Sequence, residues 1–174
     1  MGTHAVYGFK KDNKYKITYS NFDGGYNDIG TLIINFVNTT SITEMNTIFE
    51  KIVLVDVLDI PTEKQIQECK KYANLEIATR TLKDFVCLLA KTIGHLEYYR
   101  DENLRYMINE ESELDKHEFQ YIINLDNEKL EIYWYEMLVN SYDLTNVPKN
   151  WIEECDKNAD ICYQKWKSQE NEVD

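Results

Sequence analysis

The sequence predicts an α+β fold: a mostly antiparallel sheet built from N- and C-terminal hairpins, with helices packed on it. Three observations carry this. Near the start, Tyr15, Ile17 and Tyr19 alternate with Lys16, Thr18 and Ser20, the period of a half-buried strand. Near the end, Phe119, Tyr121, Ile123 and Leu125 alternate, a polar turn follows over 126–129, and Leu130, Ile132 and Trp134 alternate again. Between them Leu82, Phe85, Leu89, Ile93 and Leu96 recur at the three-and-four spacing of a core-facing helix. With 174 residues, 43% of them hydrophobic, the chain suits one domain over 1–174 with its own core.

In order, residues 4–9 pair with 15–20 about the polar turn 11–14, and the loop 21–30 follows. The apolar run 31–37 is short enough for strand or helix, and Gly30-Thr31 before it suits a helix start. Ser41 and Glu44 form a capping-box pattern, after which Ile42, Met45, Phe49 and Ile52 share a helical face. The β-branched run 52–60 fits an extended segment or a continuation. Pro61-Thr62-Glu63 opens a helix that turns Ile66, Cys69 and Ala73 inward. Thr79 or Thr81 begins the central helix, which ends near Tyr99-Arg100. Residues 103–115 read as a loop or short extended piece, and 142–147 as an irregular connection. Pro148 opens the last helix, with Ile152, Cys155, Ala159, Cys162 and Trp166 as its buried stripe and a frayed polar tail at 168–174. Trp151 and Trp166 are expected to pack that helix.

Charge narrows the function. Nineteen Lys and Arg against 31 acids give a net charge of −12, which repels nucleic acids and anionic membranes and fits a partner with a basic groove. The four cysteines contain no CxxC and the three histidines are scattered, so no metal or cofactor is expected. Neither a signal peptide nor a membrane-length apolar run is legible, and the expected setting is the cytoplasm, with reduced thiols.

The candidate site is the loop 21–30, which holds three of the six glycines with two acids and two aromatics. Gly24 and Gly25 permit positive φ and could present backbone N–H groups to an anion, although Asp23 and Asp28 oppose a phosphate. His4 could pair with Asp23 or Asp28 as acid and base, or sit as a bonded strand histidine. The candidate contact residues are thus His4, Asp23, Gly24, Gly25, Tyr26 and Asp28. On the second hairpin, strand alternation sets Tyr133 and Tyr135 opposite Trp134, as an exposed pair able to stack a ring.

In chain order, Met1-Gly-Thr-His4, Tyr19-Ser-Asn-Phe-Asp-Gly-Gly-Tyr26, Gly30, Phe119-Gln-Tyr-Ile-Ile-Asn-Leu-Asp126 and Leu130-Glu-Ile-Tyr133 form a set. This set resembles a family of small bacterial, phage and fungal proteins that begin Met-Gly-Thr and carry a Gln-Trp-Asp-Gly-Tyr loop and a Leu-Asp hairpin. His4 stands where the family has arginine and Phe22 where it has tryptophan, and the loop has an extra glycine. The resemblance implies a phage-type accessory protein. Small size and acidity then suggest a counter-defence inhibitor that blocks a host defence protein or sequesters its nucleotide signal. More distantly, the start is similar to amide hydrolases with an N-terminal nucleophile. That implies Thr3 as nucleophile if two residues were removed, since Gly2 has none, or an inactive remnant. A housekeeping binding module is the third expectation.

Overall fold

A computed structural model of the chain describes residues 3–76, 81–114 and 116–170. Ala5–Lys11 (β1) and Lys14–Ser20 (β2) form the first hairpin, with Asp12 and Asn13 at positive φ in its turn. Phe119–Asn124 (β5) and Lys129–Trp134 (β6) form the second. The two hairpins join in one sheet of order β2-β1-β5-β6-β7, as the alternation implied. β1 and β5 run parallel, with Tyr7 opposite Tyr121, and every other neighbouring pair is antiparallel. Ala5, Tyr7, Phe9, Tyr121, Ile123, Leu130 and Ile132 join the main core, which the helices complete.

The fifth strand of the sheet, Met137–Asp143 (β7), takes residues 142–143 of the irregular connection expected over 142–147, and 144–147 are irregular as expected. Its buried residues, Val139 and Tyr142, are three apart, and the ladder to β6 shifts register at Ile132/Tyr133. That bulge removes the two-residue period by which strands are recognised.

The local helix signals are realised. Thr31–Thr39 is helix α1. Ser41 caps Ile42–Lys51 (α2): its hydroxyl accepts from the Glu44 N–H at 3.2 Å, and its own N–H donates to the Glu44 carboxylate at 2.9 Å. Thr62 and Gln65 do the same for Glu63–Cys69 (α3). Within 52–60, Val53–Val55 (β3) pairs in parallel with Tyr106–Ile108 (β4), and the turn beyond it leaves Leu58 and Ile60 in solvent.

The continuous helix expected up to Tyr99 is absent. Phe85–Leu88 (α4) is one turn, capped by the Asp84 carboxylate, and Glu97–Asp101 (α5) starts afresh after Gly94 at φ +79°. Gly94 donates its N–H to the Tyr7 phenol at 2.7 Å, and a Cβ there would lie 2.7 Å from Leu32 Cδ1. Packing against β1 and α1 therefore selects a left-handed turn over helix continuation. Phe85, Leu89 and Leu96 are still buried, whereas Ile93 is 40% exposed. The alternative start at Thr79 lies outside the described residues.

The last helix is Trp151–Glu170 (α6), whose first N–H donates to the Pro148 carbonyl. Trp151 and Cys155 are buried, but Trp166 is 46% exposed and does not pack the core. A helix of this length spans about 30 Å, against about 23 Å for seven-residue β7. Asn158 ties the helix to β7 through the Val139 carbonyl at 3.2 Å. Positions 171–174 of the expected tail lie outside the described residues. Among the described residues no helix is long and apolar enough to cross a membrane.

Candidate functional site

The loop after β2 is built by contacts with both hairpins. The Gly24 N–H donates to the Thr3 carbonyl at 3.1 Å, and the Gly24 carbonyl accepts from the Tyr121 phenol at 2.9 Å. The glycine is required by this approach: a Cβ on Gly24 would lie 2.6 Å from the His4 carbonyl carbon. Neither glycine supplies the positive φ expected of them. Gly25 has φ −65°, and Asp23 takes the left-handed conformation at φ +55°. Asp23 is among the residues that tolerate it. With its N–H engaged by Thr3, Gly24 also cannot join Gly25 in an anion-binding nest.

The π-helical turn Tyr26–Gly30 then splits the candidate residues between two surfaces. Tyr26, expected at the functional surface, is 7% exposed, with its ring edge-on to Phe119 at 5.0 Å and to Trp151 at 5.9 Å. Asp23, Asn27 and Asp28 face outward instead, and with Phe22, Leu32 and Ile93 they line a groove of about 410 Å³. Ile93 also belongs to the larger neighbouring cleft, about 640 Å³, whose walls include Tyr19, Leu58, Asp84, Tyr99 and Glu110. The charged residues lining the two are all acidic. Burial, with Glu113 and Asp56 nearby, raises the Glu110 carboxyl above the usual glutamate value of 4.5. Neither the cleft nor Glu110 was legible in the sequence, because its walls come from β1, β2, β4 and the broken central segment.

His4 does not pair with the loop acids. Its Nδ1 shares a 2.5 Å hydrogen bond with the Tyr19 phenol, and its ring stacks with Tyr19 and with His117. Tyr19 and His117 lie 4.4 Å apart between ring centres, and His117 Nε2 meets the Glu113 carboxylate at 2.9 Å. That bond, with a second from Lys116, holds Glu113 below the usual carboxylate range. Sequence reasoning missed His117, which reaches His4 only through the parallel pairing of β1 with β5.

Thr3 is half-buried, and its carbonyl is tied to Gly24. Tyr133 is half-buried with its hydroxyl on Glu131 at 3.1 Å. Tyr135 is not its companion on one strand face: it lies past the end of β6 at φ +51°, edge-on to Trp134 at 5.0 Å. The strand alternation that opposed Trp134 to Tyr135 stops at the turn. Among the described residues no cluster of His, Cys, Asp and Glu could hold a metal, and all four cysteines are free thiols.

No family model matches the chain, and no curated protein or solved structure matches it at a significant level.

Proposed function

We propose that the chain acts by binding a protein with a basic surface, through the joined grooves beside the loop. One observation supports this most. Phe22 (69% exposed), Ile93, Val57 and Leu58 (86%) show apolar area to solvent along grooves whose charged walls are Asp23, Asp28, Asp84 and Glu110. Exposed apolar area with a polar border is the usual mark of a protein contact. The acids and the net charge of −12 would steer a basic partner and reject acidic ones.

The phage-type, counter-defence part of the reading rests on the sequence resemblance: the chain would block a host defence protein in the host cytoplasm. Of the two modes of inhibition, blocking fits the grooves better than sequestering a nucleotide. Phosphate recognition draws on Arg, Lys or free backbone N–H groups, and none of the lining residues is Lys or Arg.

The test is capture from host lysate by the parent, by Phe22→Ser/Leu58→Ser, and by a Leu138→Ser control on β7, with and without added nucleotides. The proposal expects one protein retained by parent and control, lost with the double variant, and indifferent to nucleotide. Equal capture by all three would remove the grooves as the contact.

A further inference from the structure

Behind the loop, on the side Tyr26 faces, lies a separate cavity of about 420 Å³. Four aromatic side chains line it: Tyr26 from the π-helical turn, Phe119 from β5, Trp134 from β6 and Tyr163 from α6. Tyr26 and Phe119 meet edge to face at 5.0 Å, and Trp134 and Tyr163 meet edge to face at 6.0 Å. The remaining wall is one face of α6: Asp156, Ala159 and Asp160. The two aspartates stand four residues apart and are exposed, so their like charges repel unless a cation joins them. The cavity is lined by no Lys or Arg.

Tyr26 is 7% exposed, and its hydroxyl is buried with no hydrogen-bond partner among the described residues. Burial raises its pKa far above the tyrosine value. The next causes are Cys155, Asp156 and Cys162, all on α6.

Ring faces carry negative electrostatic potential and attract a cation within about 6 Å, most strongly when it is weakly hydrated. A methylated ammonium combines low hydration cost with apolar methyl surface for the rings. A metal ion would want oxygen ligands in number, and a neutral apolar ligand would gain nothing from Asp156 and Asp160. We propose that Tyr26, Phe119, Trp134 and Tyr163, with Asp156 and Asp160, form a binding site for a methylated ammonium group. Its source is either a free quaternary amine or a trimethyllysine side chain; both present the same head. The site is distinct from the grooves of the proposed partner contact and does not depend on them.

The test uses the full chain and four probes: tetramethylammonium, choline, a short trimethyllysine peptide, and 3,3-dimethylbutanol, the neutral isostere of choline. Tryptophan fluorescence and calorimetry follow binding. Saturable binding of at least one cation is expected, with the neutral isostere weaker by about tenfold or more. Choline tighter than the peptide identifies a free amine, and the reverse a modified side chain; either supports the site. Trp134→Leu should abolish binding. Because that variant also removes packing, Asp156→Asn/Asp160→Asn is the companion: both positions are exposed, so it should melt like the parent yet bind the cation several-fold more weakly. No saturable binding by any cation, equal binding of the neutral isostere, or unchanged affinity in the double aspartate variant would each overturn the proposal.

Discussion

The Tyr121 phenol on β5 donates a buried 2.9 Å hydrogen bond to the Gly24 carbonyl, 97 residues away in the chain. The same hydroxyl fills the space where Gly30 lacks a Cβ, which would sit 2.9 Å from it. One phenol thus bonds the loop at Gly24 and packs against it at Gly30. Tyr121→Phe leaves a buried carbonyl without this partner and should cost about 1–2 kcal/mol in urea denaturation.

The two loop glycines should behave oppositely. Gly24→Ala drives a methyl into the backbone at His4 and Ala5, where β1 begins, and should cost about 1–3 kcal/mol. Gly25→Ala meets only the Asp28 carboxylate at 3.9 Å and has an ordinary φ, so it should be neutral or stabilise by up to about 1 kcal/mol. Thermal melts of the pair check this directly.

Tyr26 separates a packing role from a polar one. Tyr26→Ala removes a ring wedged between Phe119 and Trp151 and should cost about 3 kcal/mol or more. Tyr26→Phe keeps the ring and deletes an unpaired hydroxyl, so it should match the parent or gain up to about 1 kcal/mol. Denaturation midpoints of both variants distinguish the roles.

Glu110 should make stability depend on pH in a defined direction. Its folded pKa is raised, so the folded state holds the proton more tightly than the unfolded state. Its stabilising contribution is complete below the ordinary glutamate value of 4.5 and is lost as pH rises through the folded value. Glu110→Gln should therefore raise the melting temperature at neutral pH, and the gain should disappear at acidic pH. Melts across that range test the sign.

In the central segment, Gly94→Ala should cost about 1–3 kcal/mol, because its φ of +79° strains any L side chain and the methyl meets Leu32 and Ile29. Leu89→Asp should cost several kcal/mol, since the side chain is 4% exposed although the helix around it is broken. Both are measured by denaturant unfolding.

What was legible in the sequence was local. The alternation of residues 119–125 and 130–134, the Ser41–Glu44 box and the helix start at Pro61-Thr62-Glu63 are set by neighbours a few positions away. What was not legible depends on distant partners. The periodicity of Leu82 to Leu96 marks the burial of Phe85, Leu89 and Leu96 but not the exposure of Ile93, and the turn at Gly94 is imposed by Tyr7 and Leu32. The loop's importance to the fold was visible in its glycines, whereas the direction of its side chains was not. Composition cannot show that Tyr26 turns inward while Asp23 and Asp28 turn out, because the Tyr121 and Thr3 contacts decide it. The cluster of His4, Tyr19 and His117 was hidden for the same reason.

The central claim, binding through the acidic and apolar grooves, is tested most directly by partner affinity beside melting temperature for Phe22→Ala and Asp23→Asn/Asp28→Asn. Exposed positions carry little folding energy, so all variants should melt within about 0.5 kcal/mol of the parent. Affinity for the captured protein should fall by about 1 kcal/mol or more in each. The double aspartate variant should also lose part of the parent's weakening by salt. Variants that melt and bind like the parent, with the same salt dependence, would contradict the account.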